Sequence, residues 1–163
     1  MKTIIAIDPG PGESAFVIYD GERIIDHGLY QNKDLLELIM LDDSIEGCVI
    51  EMVASYGMPV GKSVFETCVW IGKFADRFEV TKDLQCCPDV ETIFVYRNEI
   101  KVHHCKSSRA TKANVNQAMQ DKYALGESNH GKGNKANPGF FYGFHSDVWD
   151  AFAIASYYFE TLT

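Results

Sequence analysis

Apolar and polar positions along this chain follow two periods. Thr3–Ile7 is a near-continuous apolar run, the pattern of a strand covered on both faces. Asp8-Pro9-Gly10-Pro11-Gly12 breaks it sharply. Ala15–Tyr19 and Arg23–Tyr30 read as two further strands joined through Asp20-Gly21, a two-residue hairpin signal. A helix is expected over about Lys33–Leu41, with Leu35, Leu38 and Ile39 inward. Gly47–Glu51 is a short buried strand that ends in a carboxylate. Val64, Cys68, Ile71, Ala75 and Phe78 recur at steps of four and three, predicting a long amphipathic helix from about Gly61 to Phe78. Phe65, Trp70 and Phe74 lie partly outside that stripe and admit two readings, ordinary core or a partner-facing seam. Glu91–Tyr96 predicts a fifth strand, followed by helical stretches near Asn98–Cys105 and Ala110–Tyr123. Gly126–Gly143 reads as a loop closing on Phe140, Phe141 and Tyr142. A last helix starts near Ser146, with Val148, Ala151, Phe152, Ala155 and Phe159 inward.

This order predicts an α/β fold in one domain over residues 1–163, without internal repeats. Its sheet is mixed and five-stranded, a three-stranded antiparallel meander plus parallel strands, flanked by helices. If the first strand pairs in parallel with Gly47–Glu51, a right-handed crossover sets their carboxyl ends side by side. Ligands bind beyond such ends, and Asp8 and Glu51 stand there.

The composition is that of a globular protein: 46% apolar and 23% charged residues across 163 positions exclude a disordered chain or a fibre. No apolar run approaches the roughly 20 residues of a membrane span, and Asp8 interrupts the opening apolar stretch where a secretory signal would continue. A soluble, cytoplasmic protein is expected. The five cysteines form no paired framework, and Cys86-Cys87 with His103-His104-Cys105 fits no common zinc spacing. A net charge of −8 argues against a nucleic-acid partner until its distribution is considered. Residues 97–135 hold eight basic and three acidic side chains, a local balance of +5, which leaves −13 on the rest. A basic stretch on an acidic body suits a site that meets phosphate on one face and metal on another, and equally a solvated helix face.

Asp147 and Asp150, three apart on the last helix, share one face. With Asp8 and Glu51 they make four carboxylates from three distant segments. Hard divalent cations take oxygen ligands, and two-metal phosphodiester cleavage gathers several carboxylates about two ions roughly 3.5–4 Å apart. Each group has a plainer alternative: a turn residue for Asp8, a strand end entering solvent for Glu51, helix-dipole complements for Asp147 and Asp150.

These residues resemble the RuvC-type Holliday-junction resolvases of the RNase H-like superfamily, especially compact phage-type members. Ile7-Asp8-Pro9-Gly10 is similar to the first motif of that family and Val49-Ile50-Glu51 to the second. Lys62-Ser63-Val64 through Trp70-Ile71-Gly72-Lys73 resembles the helix after the catalytic Glu, and Asp147-Val148-Trp149-Asp150-Ala151 the closing motif. The resemblance implies an RNase H-like sheet and a homodimeric, Mg²⁺-dependent endonuclease that resolves four-way DNA junctions by paired cuts. It implies two Mg²⁺ ions, replaceable by Mn²⁺, on Asp8, Glu51, Asp147 and Asp150. Lys101 and Lys112 match basic positions the family sets near DNA, and Lys106 and Arg109 extend that run. Bacterial members carry an aromatic residue three positions after the Glu. Ala54 stands there in this chain, leaving Tyr56 with two readings, a related stacking role or a tyrosine that caps the loop. The Gly126–Gly143 loop is longer than in bacterial members, and His145 stands two residues before Asp147, with a structural or a phosphate-assisting reading. Three other readings remain: a nuclease for RNA–DNA hybrid or general branched DNA, a junction-binding protein without catalysis, and a nucleotide-binding phosphotransferase-like domain, which generally needs a second domain.

Overall fold

The computed structural model describes residues 2–55, 57, 59–87, 90 and 92–163. Tyr56 lies outside them. Five strands form one mixed sheet: β1 (Ile4–Asp8), β2 (Glu13–Tyr19), β3 (Ile24–Gln31), β4 (Gly47–Met52) and β5 (Ile93–Tyr96). Their order is β3-β2-β1-β4-β5. The first three form the expected antiparallel meander, while β4 runs parallel to β1, with Ile4 opposite Gly47 and Ile7 opposite Ile50. Strand β5 extends the parallel half, with Glu51 opposite Val95.

Central β1 is apolar on both faces because each face is covered. Ile4 and Ala6 join a core built on α5 (Val148–Thr161), and Ile5 and Ile7 join one built on α1 (Asn32–Leu41) and α2 (Lys62–Leu84). Every residue of α5 from Val148 to Ser156 is buried, so this helix crosses the sheet as an all-round apolar rod. Phe152 sits in an aromatic cluster with Tyr19, Tyr123 and Phe141, ring centroids 5.0–5.4 Å away.

The structure departs from the sequence expectations in three places. The β2–β3 connection has four residues rather than two, because the Asp20 carboxylate accepts the backbone N–H of Glu22 and of Arg23 and closes a wider turn. Helix α2 continues past Phe78 to Leu84. Its last turns bury Thr81 and Lys82, whose ammonium donates to Gln85 Oε1 at 2.7 Å. In the same helix Phe74 is fully buried core, while Phe65 faces solvent. The Gly126–Gly143 loop is built rather than loose. A 3₁₀ turn over Ser128–Gly131 and a bridge between Gly133 and Pro138 fold it back, and Phe141 and Phe144 enter the core. Gly133 has φ +61° and lies so close to the Asn137 carbonyl that a Cβ would meet it at 2.3 Å. Among the described residues no helix is long and apolar enough to cross a membrane.

Candidate active site

Strand parity aims the first two carboxylates. The alternation that turns Ile4 and Ala6 toward α5 carries Asp8 to the same face, and Val49 carries Glu51 there. The β1–β4 register sets Asp8 and Glu51 side by side, one step beyond the Ile7–Ile50 pair. The turn after Asp8 is pinned by buried polar groups: Ser14 Oγ accepts the Gly10 N–H at 3.1 Å and donates to Asn32 Oδ1 at 2.6 Å. Asn32 Nδ2 returns a bond to the Gly10 carbonyl. A Cβ on Gly10 would lie 2.4 Å from the Glu13 carbonyl, so glycine is required there.

Asp147 is the N-cap residue of α5 and Asp150 lies in its first turn, so the positive end of the helix dipole faces the cluster. One oxygen from each of Asp8, Asp147 and Asp150 lies within 4.8 Å of the others. Glu51 stands outside this trio and bonds a cation instead. Arg97 Nε donates to Glu51 Oε1 at 2.7 Å, and the same guanidinium reaches Asp150 Oδ1 at 3.5 Å and Asp8 Oδ1 at 3.6 Å. Lys112 Nζ lies 2.5 Å from Asp147 Oδ1 and from Asp150 Oδ2.

The two cations owe their positions to local structure. Arg97 opens α3 (Arg97–Cys105) directly after Tyr96, the last residue of β5, and the Tyr96 N–H donates to Glu99 Oε2 in the first turn. It follows Val95 by two positions, and Val95 packs on the α5 side. Lys112 is the first residue of α4 (Lys112–Tyr123), where Thr111 and Asn114 cap each other reciprocally.

Burial pushes the Asp8 carboxyl well above its usual range, helped by Glu51 and Asp150 and opposed by Arg97. Burial also raises Glu51, against the pull of Arg97. Arg97 is held more firmly protonated, since Glu51, Asp150 and Asp8 outweigh its own desolvation. For Lys112, desolvation is outweighed by the bonds to Asp147 and Asp150, and its pKa rises. Asp8 thus marks a cluster short of positive charge. Its donors are all carboxylate oxygens, the hard set that suits Mg²⁺ or Mn²⁺, and the residues present fit a divalent ion held by Asp8, Asp147 and Asp150.

Lys101 joins the site: it lines a small cleft with Glu51, Lys112 and Asp150, and with Arg97, Asn98 and Ser108 an adjoining groove. Lys106 and Arg109 do not reach the carboxylates. Lys106 turns back to the His103 carbonyl at 2.9 Å, and Arg109 lies on the exposed α3–α4 turn beside Cys105 and Asn114. His145 is exposed, and its carbonyl accepts the Val148 N–H at the start of α5. His103 and His104 gather with Glu160 rather than with Cys86 and Cys87. Sequence reasoning placed Arg97 only within a basic stretch and missed its contacts. The available signal was its parity with Val95 at the carboxyl end of a strand beside Glu51.

No family model matches this chain, nor does any curated protein sequence. Among solved structures, one of Thermus thermophilus RuvC matches with a TM-score of 0.62 at 15% identity, covering 99% of this chain and 97% of that one. A structure of T. thermophilus RuvC in complex with Holliday junction substrate matches at 0.61 and 15%, over 97% and 93% of the two chains. The likeness is one of architecture, and by it the chain has the RNase H-like RuvC fold.

Proposed function

We propose that this chain is a divalent-metal-dependent endonuclease that cuts four-way DNA junctions. The observation that carries the reading is the meeting of Asp8, Asp147 and Asp150 at the carboxyl end of the sheet, beside the groove of Arg97, Asn98, Lys101 and Ser108. A cation bound there would polarise a phosphoryl oxygen and lower the pKa of a coordinated water. Asp8 is fixed by a strand paired on both sides, and Asp150 by a buried helix, so the ligand oxygens need little ordering on binding. Lys101 and the groove engage phosphates next to the cut and set the register of the strand rather than its sequence. The acidic remainder of the surface confines DNA to this face. Hydrolysis joins a water oxygen to phosphorus and breaks the bond to one sugar oxygen, which leaves with the electron pair and takes up a proton.

Paired cuts need two such centres, and the proposal extends to a homodimer. Phe65 and Val69, one turn apart on the outer side of α2, expose apolar surface that a second copy would cover. The test is cleavage of an end-labelled four-way junction beside linear duplex and an RNA–DNA hybrid, in Mg²⁺ or EDTA. Symmetric Mg²⁺-dependent nicks in the junction alone are expected. Cutting of the hybrid or of many branched forms would move the substrate and keep the chemistry, and tight junction binding without cutting in any divalent metal would overturn the reading.

A further inference from the structure

We infer that the hairpin over residues 131–139, in the loop before α5, is a second phosphate-gripping surface that holds a duplex arm of the DNA beyond the cut. The inference rests on the nuclease reading and names where, apart from the metal centre, its substrate is held. The hairpin is fixed in one shape by polar bonds. Gly133 bridges to Pro138, and the Gly139 N–H donates to the Lys132 carbonyl at 3.1 Å. The Asn134 side-chain oxygen accepts the N–H groups of Ala136 and Asn137 at 2.9 and 3.0 Å. Asn129 Nδ2 donates to the Gly133 carbonyl at 3.1 Å from a left-handed backbone at φ 52°, and His130 follows at φ 56°. At the root Phe141 is buried and the Phe140 ring stacks on Tyr123 at 5.3 Å. Residues 134–138 are exposed throughout. A tip ordered without burying apolar surface has already lost the freedom that binding would otherwise cost.

The chemistry of the tip selects an anion. Over residues 126–146 the charged side chains are Lys132, Lys135 and Glu127, in a chain of net charge −8. Glu127 turns to the root, its Oε2 3.0 Å from where a Cβ on Gly139 would stand. Ammonium and carboxamide groups remain outward, donors that meet phosphate oxygens without reading a base. Placement then fixes which phosphates. Lys132 Nζ lies 5.9 Å from the ring centroid of Trp149, between Asp147 and Asp150 in sequence. The closing limb is bonded to β3, where His27 Nε2 donates to the Tyr142 carbonyl at 3.0 Å. Strand β3 is one edge of the sheet, and β5, which leads into Arg97 and its groove, is the other; Asp8 ends β1 between them. Two strand spacings separate β1 from β3, about 10 Å, or roughly three base pairs of axial rise. DNA entering by the Lys101 groove and cut at the carboxylates reaches the hairpin on the arm beyond.

The test is binding of a fluorescent four-way junction in EDTA across salt concentrations, for the wild type and for Lys132→Gln/Lys135→Gln. Circular dichroism and urea midpoints check folding. The double variant should bind roughly tenfold or more weakly at about 0.1 M salt, and its slope of log K against log salt should shrink by about 0.9 for each lysine. Lys132→Arg/Lys135→Arg should restore both. A second arm uses junctions with uncharged methylphosphonate linkages roughly two to four base pairs beyond the mapped cut. These should weaken the wild type and leave the double variant unmoved, a coupling that a merely structural role would not show. An unchanged salt slope in the folded variant overturns the inference, as does a methylphosphonate effect of equal size in both proteins. Equal loss on a single strand without a duplex arm would also overturn it, by giving the hairpin to unpaired DNA. A wild type that neither binds nor cuts the junction would instead remove the nuclease reading itself.

Discussion

The two ends of α5 carry opposite solutions to the same problem, a carboxylate packed among other titratable side chains. Near its C-terminus Glu160 is surrounded by donors: Lys122 Nζ at 2.5 Å, Ser156 Oγ at 2.5 Å, His103 Nε2 at 2.8 Å and Tyr123 Oη at 3.0 Å. Burial raises its pKa, but these bonds prevail and bring it down to about 2. At the N-terminus four carboxylates share two cations, and Asp8 and Glu51 are raised. One end is satisfied although it faces the negative pole of the helix, and serves to staple α3 and α4 onto α5. The other is under-neutralised although it faces the positive pole. Such an imbalance in a sheet-end cleft is one that the divalent cation of the proposed function would relieve.

The largest effect that would break the comparison belongs to Asp8. Asp8→Asn is expected to lower Mg²⁺-dependent junction cleavage by on the order of 10³-fold, as loss of a ligand to a Lewis acid implies. In EDTA its stability should equal or exceed that of the wild type, because a mutually repelling charge is removed. A marked loss of stability by urea denaturation would make Asp8 a structural turn residue. Next comes the other end: Glu160→Gln should destabilise by about 1 kcal/mol, since it removes charge-assisted bonds that solvent partly screens. Cleavage per folded molecule should be retained, and a large drop in kcat at full occupancy would join the two ends functionally.

Lys112→Ala tests the shared cation. Junction affinity should fall and the salt dependence of log K should shrink by about one phosphate's worth, while Mn²⁺ binds more tightly as Asp147 and Asp150 are freed. An unchanged salt slope would confine Lys112 to the carboxylates. The smallest effect is the pH dependence of stability in EDTA. Folded Asp8 binds its proton more tightly than the unfolded chain does. Its contribution to stability is therefore full below the unfolded pKa of about 4 and declines as pH rises toward the raised native value. Glu160 acts with the opposite sign, contributing stability above about 4 that is lost as pH falls toward 2. Urea midpoints across these windows check both, and Asp8→Asn should flatten the first slope and leave the second.

Much of this architecture was legible because apolar periodicity and strand ends are local signals. The continuous run of β1 announced a strand covered on both sides, and its parallel pairing with β4, which the sequence left as a condition, is found in the sheet. The Asp-x-x-Asp spacing announced the helix start that supplies two of the clustered carboxylates. What escaped were features fixed by partners far away in sequence. The last turns of α2 bury Thr81 and Lys82 while Val80 and Leu84 face solvent, so the hydrophobic stripe fades just where the helix continues. Phe141 read as the end of a loop and Phe144 drew no reading, and only packing against Trp149 and Phe152 makes them core. Arg97 was hidden among eight basic residues, because no periodicity distinguishes a cation that meets carboxylates from one that meets water.

The strand order also divides the walls of the site by how readily their backbones open to solvent. Strand β1 is hydrogen-bonded along both edges, and its amides should be among the slowest to exchange with deuterium. Strand β5 has four residues, pairs on one side only and exposes Phe94, so its amides should exchange through small local openings. Asp8 thus ends a strand paired along both edges, while Arg97 follows the sheet's short parallel edge. Brief fraying of that edge would withdraw the guanidinium while leaving Asp8 in place, giving the centre one fixed wall and one that breathes.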